Sequence, residues 1–200
     1  MGNRLAIAVL AAACLPLAGP AVAAERTIAS IIESRCALCH GPEGESASAI
    51  YPRLAAQHPE YMAKQLKDFR DGRRNSEAMG DMVKDLTDAE IAALAAFFAD
   101  KPAKARRVRD ADLAAVGKYI YINGNPYSGV PACATCHGPA AQGTAQLPRL
   151  AGQHPAYLET QLKEFDKRAR TNDNAVMHSI AAKLTELESV SVSVYLGGLE

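Results

Sequence analysis

The 200-residue chain lacks tryptophan, and aromatic residues make up only 6% of it. It also lacks an excess of either charge, because 22 basic residues balance 22 acidic ones, which gives no reason to expect a nucleic-acid partner. Beyond residue 25 no apolar run is long enough for a transmembrane helix. These absences leave a soluble protein with a modest apolar core as the expectation.

The first 24 residues are predicted to be a signal peptide. Arg4 supplies a positive start, Leu5 to Leu17 form an apolar stretch too short to cross a bilayer comfortably, and Ala21-Val22-Ala23-Ala24 offers small residues to a signal peptidase. Cleavage is expected after Ala23 or Ala24, which leaves an exported mature chain. An uncleaved N-terminal anchor is the alternative. Lipidation of Cys14 is disfavoured, because the alanines before it lack the large apolar residue usual at such sites.

The remainder of the chain repeats itself in order, with an offset that drifts only from 96 to 98 residues. The matching segments are Cys36-Ala37-Leu38-Cys39-His40-Gly41-Pro42 with Cys133-Ala134-Thr135-Cys136-His137-Gly138-Pro139, Pro52–Pro59 with Pro148–Pro155, Tyr61, Gln65, Leu66, Lys67 and Phe69 with Tyr157, Gln161, Leu162, Lys163 and Phe165, and Leu86, Thr87 and Glu90 with Leu184, Thr185 and Glu188. This order indicates a tandem duplication. We therefore predict one domain over residues 25–100, a basic linker over 101–110 and a second domain over 111–200.

Each copy is predicted to be helical, so the fold class is all-α. Apolar spacing predicts helices over Thr27–Arg35 and Pro59–Phe69, and Thr87 with Glu90 forms the pattern of a capping box before a third helix. In the second copy, Val190–Tyr195 alternates with period two, which is typical of a strand. The internal alignment predicts a helix there, weakened by its β-branched residues and serines.

Each copy contains one Cys-x-x-Cys-His motif, Cys36/Cys39/His40 and Cys133/Cys136/His137. Two thiols at this spacing can each form a thioether to one edge of a porphyrin, and the following histidine is then placed under the iron. The two motifs predict two covalently bound haem c groups. Haem would also supply the apolar centre that a helical domain of under ninety residues with few aromatics needs.

Other uses of the cysteines fit less well. A structural zinc site would need to join the two pairs across a separation far beyond the usual spacing, and it would leave both histidines unexplained. A disulfide within each pair suits an exported chain, and thiol exchange uses the same spacing. Neither explains His40 and His137 directly after the second cysteine.

The sixth iron ligand is predicted by internal alignment. Met79 lies seven residues before Leu86, and Met177 lies seven residues before Leu184, so these two methionines occupy matching positions. We predict His40 and Met79 as the axial pair of the first iron, and His137 and Met177 as that of the second.

Several side chains compete for this role. Met82 aligns with Ile180 and Met62 with Leu158, so both are expected in the core, although Met82 shares a helical face with Met79 and remains an alternative ligand. His58 and His154 repeat faithfully, which leaves bis-histidine ligation open, but their place before a predicted helix favours helix-start or surface residues. His178 has no counterpart and is expected to be incidental.

The chain resembles the cytochrome c4 family. The resemblance rests on Cys-x-x-Cys-His-Gly, Pro-x-Leu-Ala-x-Gln, Tyr-x-x-x-Gln-Leu and a methionine before a capped helix, each present twice, and it covers nearly the whole mature chain. It implies two tandem class I cytochrome c domains, each wrapped around one haem, with the haems close together at the domain interface. It also implies that the carbonyls of Pro52 and Pro148 accept hydrogen bonds from the axial histidines.

The same resemblance implies a periplasmic carrier of single electrons from a quinol-oxidising complex towards terminal oxidases or reductases, with any peripheral membrane association made through these partners. A cytochrome subunit of a periplasmic dehydrogenase, such as a flavocytochrome sulfide dehydrogenase, is the alternative. With His/Met ligation both axial positions are occupied, which argues against an enzyme such as a dihaem peroxidase.

Charge is distributed unevenly along the predicted mature chain. Residues 25–100 contain 9 basic and 13 acidic residues, a balance of −4, whereas residues 101–200 contain 12 and 9, a balance of +3. One interpretation is that the domains face different partners and that charge steers each encounter. Ordinary solvated surface charge with a basic linker is the other.

Overall fold

The computed structural model describes residues 26–105, 107 and 110–200. The predicted signal peptide and part of the predicted linker lie outside these residues. In the described part the secondary structure is helical, and the sole extended pairing there is an isolated bridge between Asn125 and Val130. The all-α prediction is confirmed. None of the helices in the described ranges is long and apolar enough to cross a membrane.

The first repeat folds into short helices around one apolar cluster. Ile31, Met62, Leu94 and Phe98 lie at the centre of this cluster, and Met79 packs against it from one side. Its helical segments are α1 (Ile28–Ile31), a π-helical turn (Ile32–Cys36), α2 (Ala37–His40), α3 (Pro59–Arg70), α4 (Glu77–Val83) and α5 (Asp88–Ala99).

The second repeat builds a separate cluster of the same kind around Tyr121, Leu158 and Leu196. Its helices are α6 (Ala111–Asn123), α7 (Ala134–His137), α8 (Pro155–Asp166), α9 (Val176–Ala181) and α10 (Glu186–Gly197). In this domain α6 lies before the Cys-x-x-Cys-His segment and packs mainly against the last helix, α10.

Local sequence explains where these helices begin. Pro59 and Pro155 occupy the first turns of α3 and α8, where a missing N–H costs nothing. The Thr87–Glu90 capping box is present at α5, and Thr185 with Glu188 forms the same box at α10. These predicted starts are confirmed.

The segment with strand-like alternation is helical, as the internal alignment predicts. Ser191 and Ser193 on α10 are completely buried. At Gly117 on α6, a Cβ would lie 1.9 Å from the carbonyl oxygen of Ser191. Small residues at this crossing therefore let two helix backbones approach closely, and the Val/Ser composition of α10 serves packing.

The helix predicted over Thr27–Arg35 continues further than the sequence pattern indicates. Thr27 is its N-cap, but the chain passes through the π-helical turn and ends at His40. The turn contains one hydrogen bond from the Ala37 N–H to the Ile32 carbonyl, five residues back. It therefore carries Cys36 directly into the short helix that ends in His40.

Candidate functional site

The first predicted iron ligand is held in a defined orientation. His40 ends α2 and is only 6% exposed, and its Nδ1 lies 2.8 Å from the main-chain oxygen of Pro52. Because a carbonyl can only accept, Nδ1 carries the proton. The other ring nitrogen, Nε2, is then the atom with a lone pair for a metal.

The second site repeats this arrangement. His137 ends α7 and is buried to a similar extent, and its Nδ1 lies 3.3 Å from the oxygen of Pro148. The contacts from the two predicted axial histidines to proline carbonyls, which the family resemblance implies, are therefore present. The second is longer, at the outer limit for a hydrogen bond.

Burial favours the neutral form of both histidines and of one cysteine in each pair. It lowers the pKa of His40 and of His137, although the hydrogen bonds to proline carbonyls oppose the shift. It also raises the pKa of the Cys36 and Cys133 thiols to about 11. Neutral imidazoles suit iron ligation. Neutral thiols with such high pKa values are poor nucleophiles for thiol exchange.

The described cysteines do not support the other two interpretations. No disulfide joins any of the described cysteines Cys36, Cys39, Cys133 and Cys136. Over residues 26–105, 107 and 110–200, no group of three or more His, Cys, Asp or Glu side chains is placed to hold a metal ion. The zinc interpretation thus finds no ligand set in the described ranges, whereas a paired thiol set with one buried imidazole per domain fits haem c.

The two predicted methionine ligands occupy equivalent positions in the structure. Met79 lies in the first turn of α4, where its N–H donates to Ser76 Oγ at 3.3 Å. Met177 lies in the first turn of α9, where its N–H donates to Asp173 Oδ2 at 2.6 Å. Both side chains are half-buried. The alignment of Met79 with Met177 therefore holds at the level of local structure, and their ligation stays a prediction.

The two other methionines considered as iron ligands, Met62 and Met82, differ in burial. Met62 is buried in the core of the first domain, as predicted. Met82 is 40% exposed, so the prediction that it is a core residue is wrong. Val83 is the buried residue of α4, and Met82 lies on its outer side, where its carbonyl accepts from Arg35 Nη1.

His58 and His154 make contacts between the two domains. Both are N-cap residues, as predicted, but His154 is only 1% exposed, so a surface position is wrong for it. Their side chains reach into the opposite domain. His58 Nε2 lies 2.7 Å from the oxygen of Gln142, and His154 Nε2 lies 3.0 Å from that of Ser46. These contacts engage the nitrogens that bis-histidine ligation would need.

His178, expected from the sequence to be incidental, makes a contact between two helices. Its Nδ1 lies 2.9 Å from the main-chain oxygen of Phe165, which ties α9 to the end of α8. This contact fixes the helix that carries Met177 and has no counterpart of the same residue type in the first copy.

The domain interface is reciprocal, because each domain contributes the same atoms to it. The Gln57 side chain donates to the Arg149 carbonyl and accepts from the Arg149 N–H, at 3.1 and 2.8 Å. Gln153 does the same with Arg53, at 2.9 Å for both contacts. The two domains thus pair through matching glutamines next to the segments that hold Pro52 and Pro148.

A second reciprocal group surrounds two buried arginines. Arg74 donates to Gln65 Oε1, to Gln161 Oε1 and to Tyr157 Oη. Arg170 donates to the same two glutamine oxygens and to Tyr61 Oη. The matching tyrosines and glutamines were visible in the repeat. Their pairing across an interface was not, because a repeated polar residue looks the same whether it faces solvent or the other copy.

Both predicted haem domains match known families. A family model described as cytochrome c oxidase, cbb3-type, subunit III matches residues 23–98, and one described as cytochrome c matches residues 114–186.

The chain is also similar to known proteins over most of its length. A cytochrome c4 of Thiocapsa roseopersicina is 47% identical over 82% of this chain and 86% of the relative. A thiosulfate dehydrogenase electron acceptor of Thiomonas intermedia (strain K12) is 37% identical over 80% of this chain and 76% of the relative. The crystal structure of reduced recombinant cytochrome c4 from Pseudomonas stutzeri aligns with a TM-score of 0.80 and 34% identity, over 84% of this chain and 94% of that one.

Proposed function

The chain belongs to the cytochrome c4 family, and from this premise we propose that it carries single electrons in the periplasm between a quinol-oxidising respiratory complex and terminal oxidases or reductases. The predicted fold of two tandem cytochrome c domains is confirmed. The protein is a dihaem electron-transfer cytochrome with two covalently bound haem c groups. Bound haem supplies an iron that takes up and releases one electron at a time.

We assign four residues to each haem. Cys36 and Cys39 would form the thioethers of the first, and His40 and Met79 would bind its iron. The matching residues of the second are Cys133, Cys136, His137 and Met177. With a histidine and a methionine bound to each iron, neither site would leave a place for a small substrate, which supports an electron carrier over an enzyme.

The observation that carries this proposal is the pair of buried histidines with protonated Nδ1. The Pro52 and Pro148 carbonyls fix the ring orientation, which supports Nε2 as the ligand atom. The reciprocal contacts of Gln57 and Gln153 join the segments beside these prolines. Both sites are therefore held in a fixed relation, which favours electron exchange between them without domain movement.

Mass spectrometry and absorption spectra of the exported protein test the assignment. We expect the mass of two haems added to a chain that begins at residue 24 or 25, together with the weak red band of iron–methionine sulfur in the oxidised form. A single haem, or a missing red band, would contradict it. Fractionation of cells that export the protein should recover it in the periplasm.

A second function is favoured by the similarity to a thiosulfate dehydrogenase electron acceptor. On this alternative the protein accepts electrons directly from a periplasmic dehydrogenase. Stopped-flow reduction distinguishes the two. Fast reduction by a thiosulfate dehydrogenase with its substrate, and slow reduction by a quinol-oxidising complex, would favour the alternative.

We further propose that residues 25–100 and 111–200 are the two domains and that residues 101–110 link them. Limited proteolysis of the holoprotein is expected to cut within 101–110 first. Because the interface contacts persist after such a cut, the two fragments should remain associated in solution.

A further inference from the structure

The two haem domains differ in charge at the side chain that lies against the glycine after each predicted axial histidine. In the first domain the carboxylate carbon of Glu45 lies 2.5 Å from where a Cβ on Gly41 would stand. In the second domain the amide carbon of Gln142 lies 2.5 Å from where a Cβ on Gly138 would stand. Each glycine directly follows an axial histidine. The same space is therefore occupied by a carboxylate in one domain and by a neutral amide of nearly the same shape in the other.

Both side chains make the same local hydrogen bond. Glu45 Oε2 accepts from the Glu43 N–H at 3.0 Å, and Gln142 Oε1 accepts from the Ala140 N–H at 3.0 Å. The contact holds each side chain against its glycine. The exchange of Glu for Gln thus changes the charge and keeps the geometry.

The glycines make this placement possible. Gly41 has φ +77° and Gly138 has φ +82°, which are values that side-chain-bearing residues rarely adopt. A Cβ at Gly41 would also collide with the Glu45 side chain, and one at Gly138 would collide with that of Gln142. The missing Cβ therefore leaves room beside each histidine for one polar side chain. That side chain is a glutamate in the first domain and a glutamine in the second.

We propose that Glu45 lowers the reduction potential of the first haem and that Gln142 is its neutral counterpart at the second. This rests on the proposed function, in which His40 and His137 bind the two irons. Oxidation adds one positive charge to the iron, so a nearby fixed negative charge stabilises the oxidised form and lowers the potential. An amide at the same place supplies no net charge.

Glu45 shares a cavity with three cationic side chains. Glu45 is half-buried and lines a small cavity between the domains together with Arg53, Lys104 and Arg149. Arg53 is held by the carbonyls of Gly152 and Lys104. Among the described residues, no ion pair joins Glu45 to a cation, and no direct ion pair therefore neutralises the carboxylate.

Redox potentiometry of the holoprotein tests the proposal. The haem absorption is followed during the titration and fitted with two one-electron components. We expect Glu45→Gln to raise one midpoint potential and Gln142→Glu to lower the other. Each shift should correspond to about a threefold change in the equilibrium constant, which is about 30 mV at 59 mV per tenfold change. Glu45→Gln should fold normally, because the second domain already accommodates Gln at this place.

Glu43→Gln is the matched control. Glu43 is exposed and lies two residues from Glu45, so its charge is better screened and its removal should shift the potential less. The proposal is overturned if Glu45→Gln moves neither component, moves both equally, or moves one no further than Glu43→Gln does. An unchanged red band and circular dichroism spectrum would show that ligands and fold are intact in each variant.

These outcomes are separable from a failure of the proposed function. Potentials that shift as expected in a protein that exchanges electrons with neither partner class would contradict only the carrier role. A protein that exchanges electrons normally, but whose potentials ignore Glu45, would contradict only the proposal on Glu45.

Discussion

His154 of the second domain points its Nε2 at the main-chain oxygen of Ser46 in the first, 3.0 Å away. The Ser46 hydroxyl in turn lies within hydrogen-bond distance of the carbonyl oxygens of Cys39 and Tyr51. Ser46 is itself almost fully buried. One side chain of the second domain thus supports the loop that packs against the haem-binding segment of the first.

Replacing His154 by Phe should destabilise the protein by about 1–3 kcal/mol, because the Ser46 carbonyl is then buried without this donor. Chemical denaturation of the holoprotein measures the loss. His58→Phe is the matched control. His58 is only half-buried, so water can replace its contact with Gln142 and the loss should be smaller. Equal losses for the two variants would contradict this.

Acid should weaken the domain interface through Asp68. Its buried carboxylate accepts from Lys64, Arg73 and, across the interface, from Asn172. Burial alone raises the pKa of Asp68, but the hydrogen bonds from Lys64, Asn172 and Arg73 outweigh it and lower the pKa below 3.8. A carboxylate with a lowered pKa in the folded state stabilises the protein above that ordinary value, and this stability is lost as the pH falls through the folded pKa.

We therefore expect the free energy of unfolding to fall below about pH 4, and to fall less steeply in Asp68→Asn. Unfolding in urea at several pH values measures both slopes. An Asp68→Asn protein with the full acid dependence would rule out this assignment.

The crossing of α6 and α10 should not tolerate a methyl group. In Gly117→Ala the new Cβ would lie 1.9 Å from the Ser191 carbonyl oxygen, so the helices must separate. We expect a loss of about 3 kcal/mol, at the upper end for overpacked cores. Gly80→Ala is the control, since a Cβ there meets no atom within 4 Å. It should stabilise α4 by about 0.4–1 kcal/mol. Similar denaturation midpoints for both variants would be inconsistent with the tight crossing.

Met79→Ala should remove about half of the intensity of the red iron–sulfur band, because one of two His/Met sites loses its sulfur ligand. Met82→Ala should leave the band intact, since that side chain lies on the outer side of α4. Oxidised absorption spectra at equal haem concentration measure both. Loss of the band in Met82→Ala, with retention in Met79→Ala, would reverse the ligand assignment.

The sequence predicts most of the fold because the strongest local patterns occur twice. The capping boxes at Thr87 and Thr185 and the prolines at Pro59 and Pro155 each mark a helix start, and all four are confirmed. Alignment also corrects local propensity. It predicts a helix for Val190–Tyr195, and the segment is helical. Burial of Ser191 at a helix crossing outweighs the β preference of the segment.

Local sequence patterns predict neither the domain interface nor the exposure of Met82. Alignment with Ile180 predicts a buried Met82, but α4 is short and buries only Val83. His58 and His154 occupy the helix starts that the sequence predicts. Nothing in the sequence indicates that the rest of each ring crosses to the other copy, because contacts between repeats depend on how the two domains are placed.

The reciprocal glutamine contacts have a consequence for association. Since Gln57 and Gln153 make the same pair of bonds in opposite directions, each domain surface is complementary to its own copy. The short connection between the domains then acts as a tether. It replaces an encounter between two molecules by one within a single chain, where the effective concentration of the partner reaches the millimolar range or above for a short tether. Weak polar contacts at each position are then sufficient to keep the two domains associated.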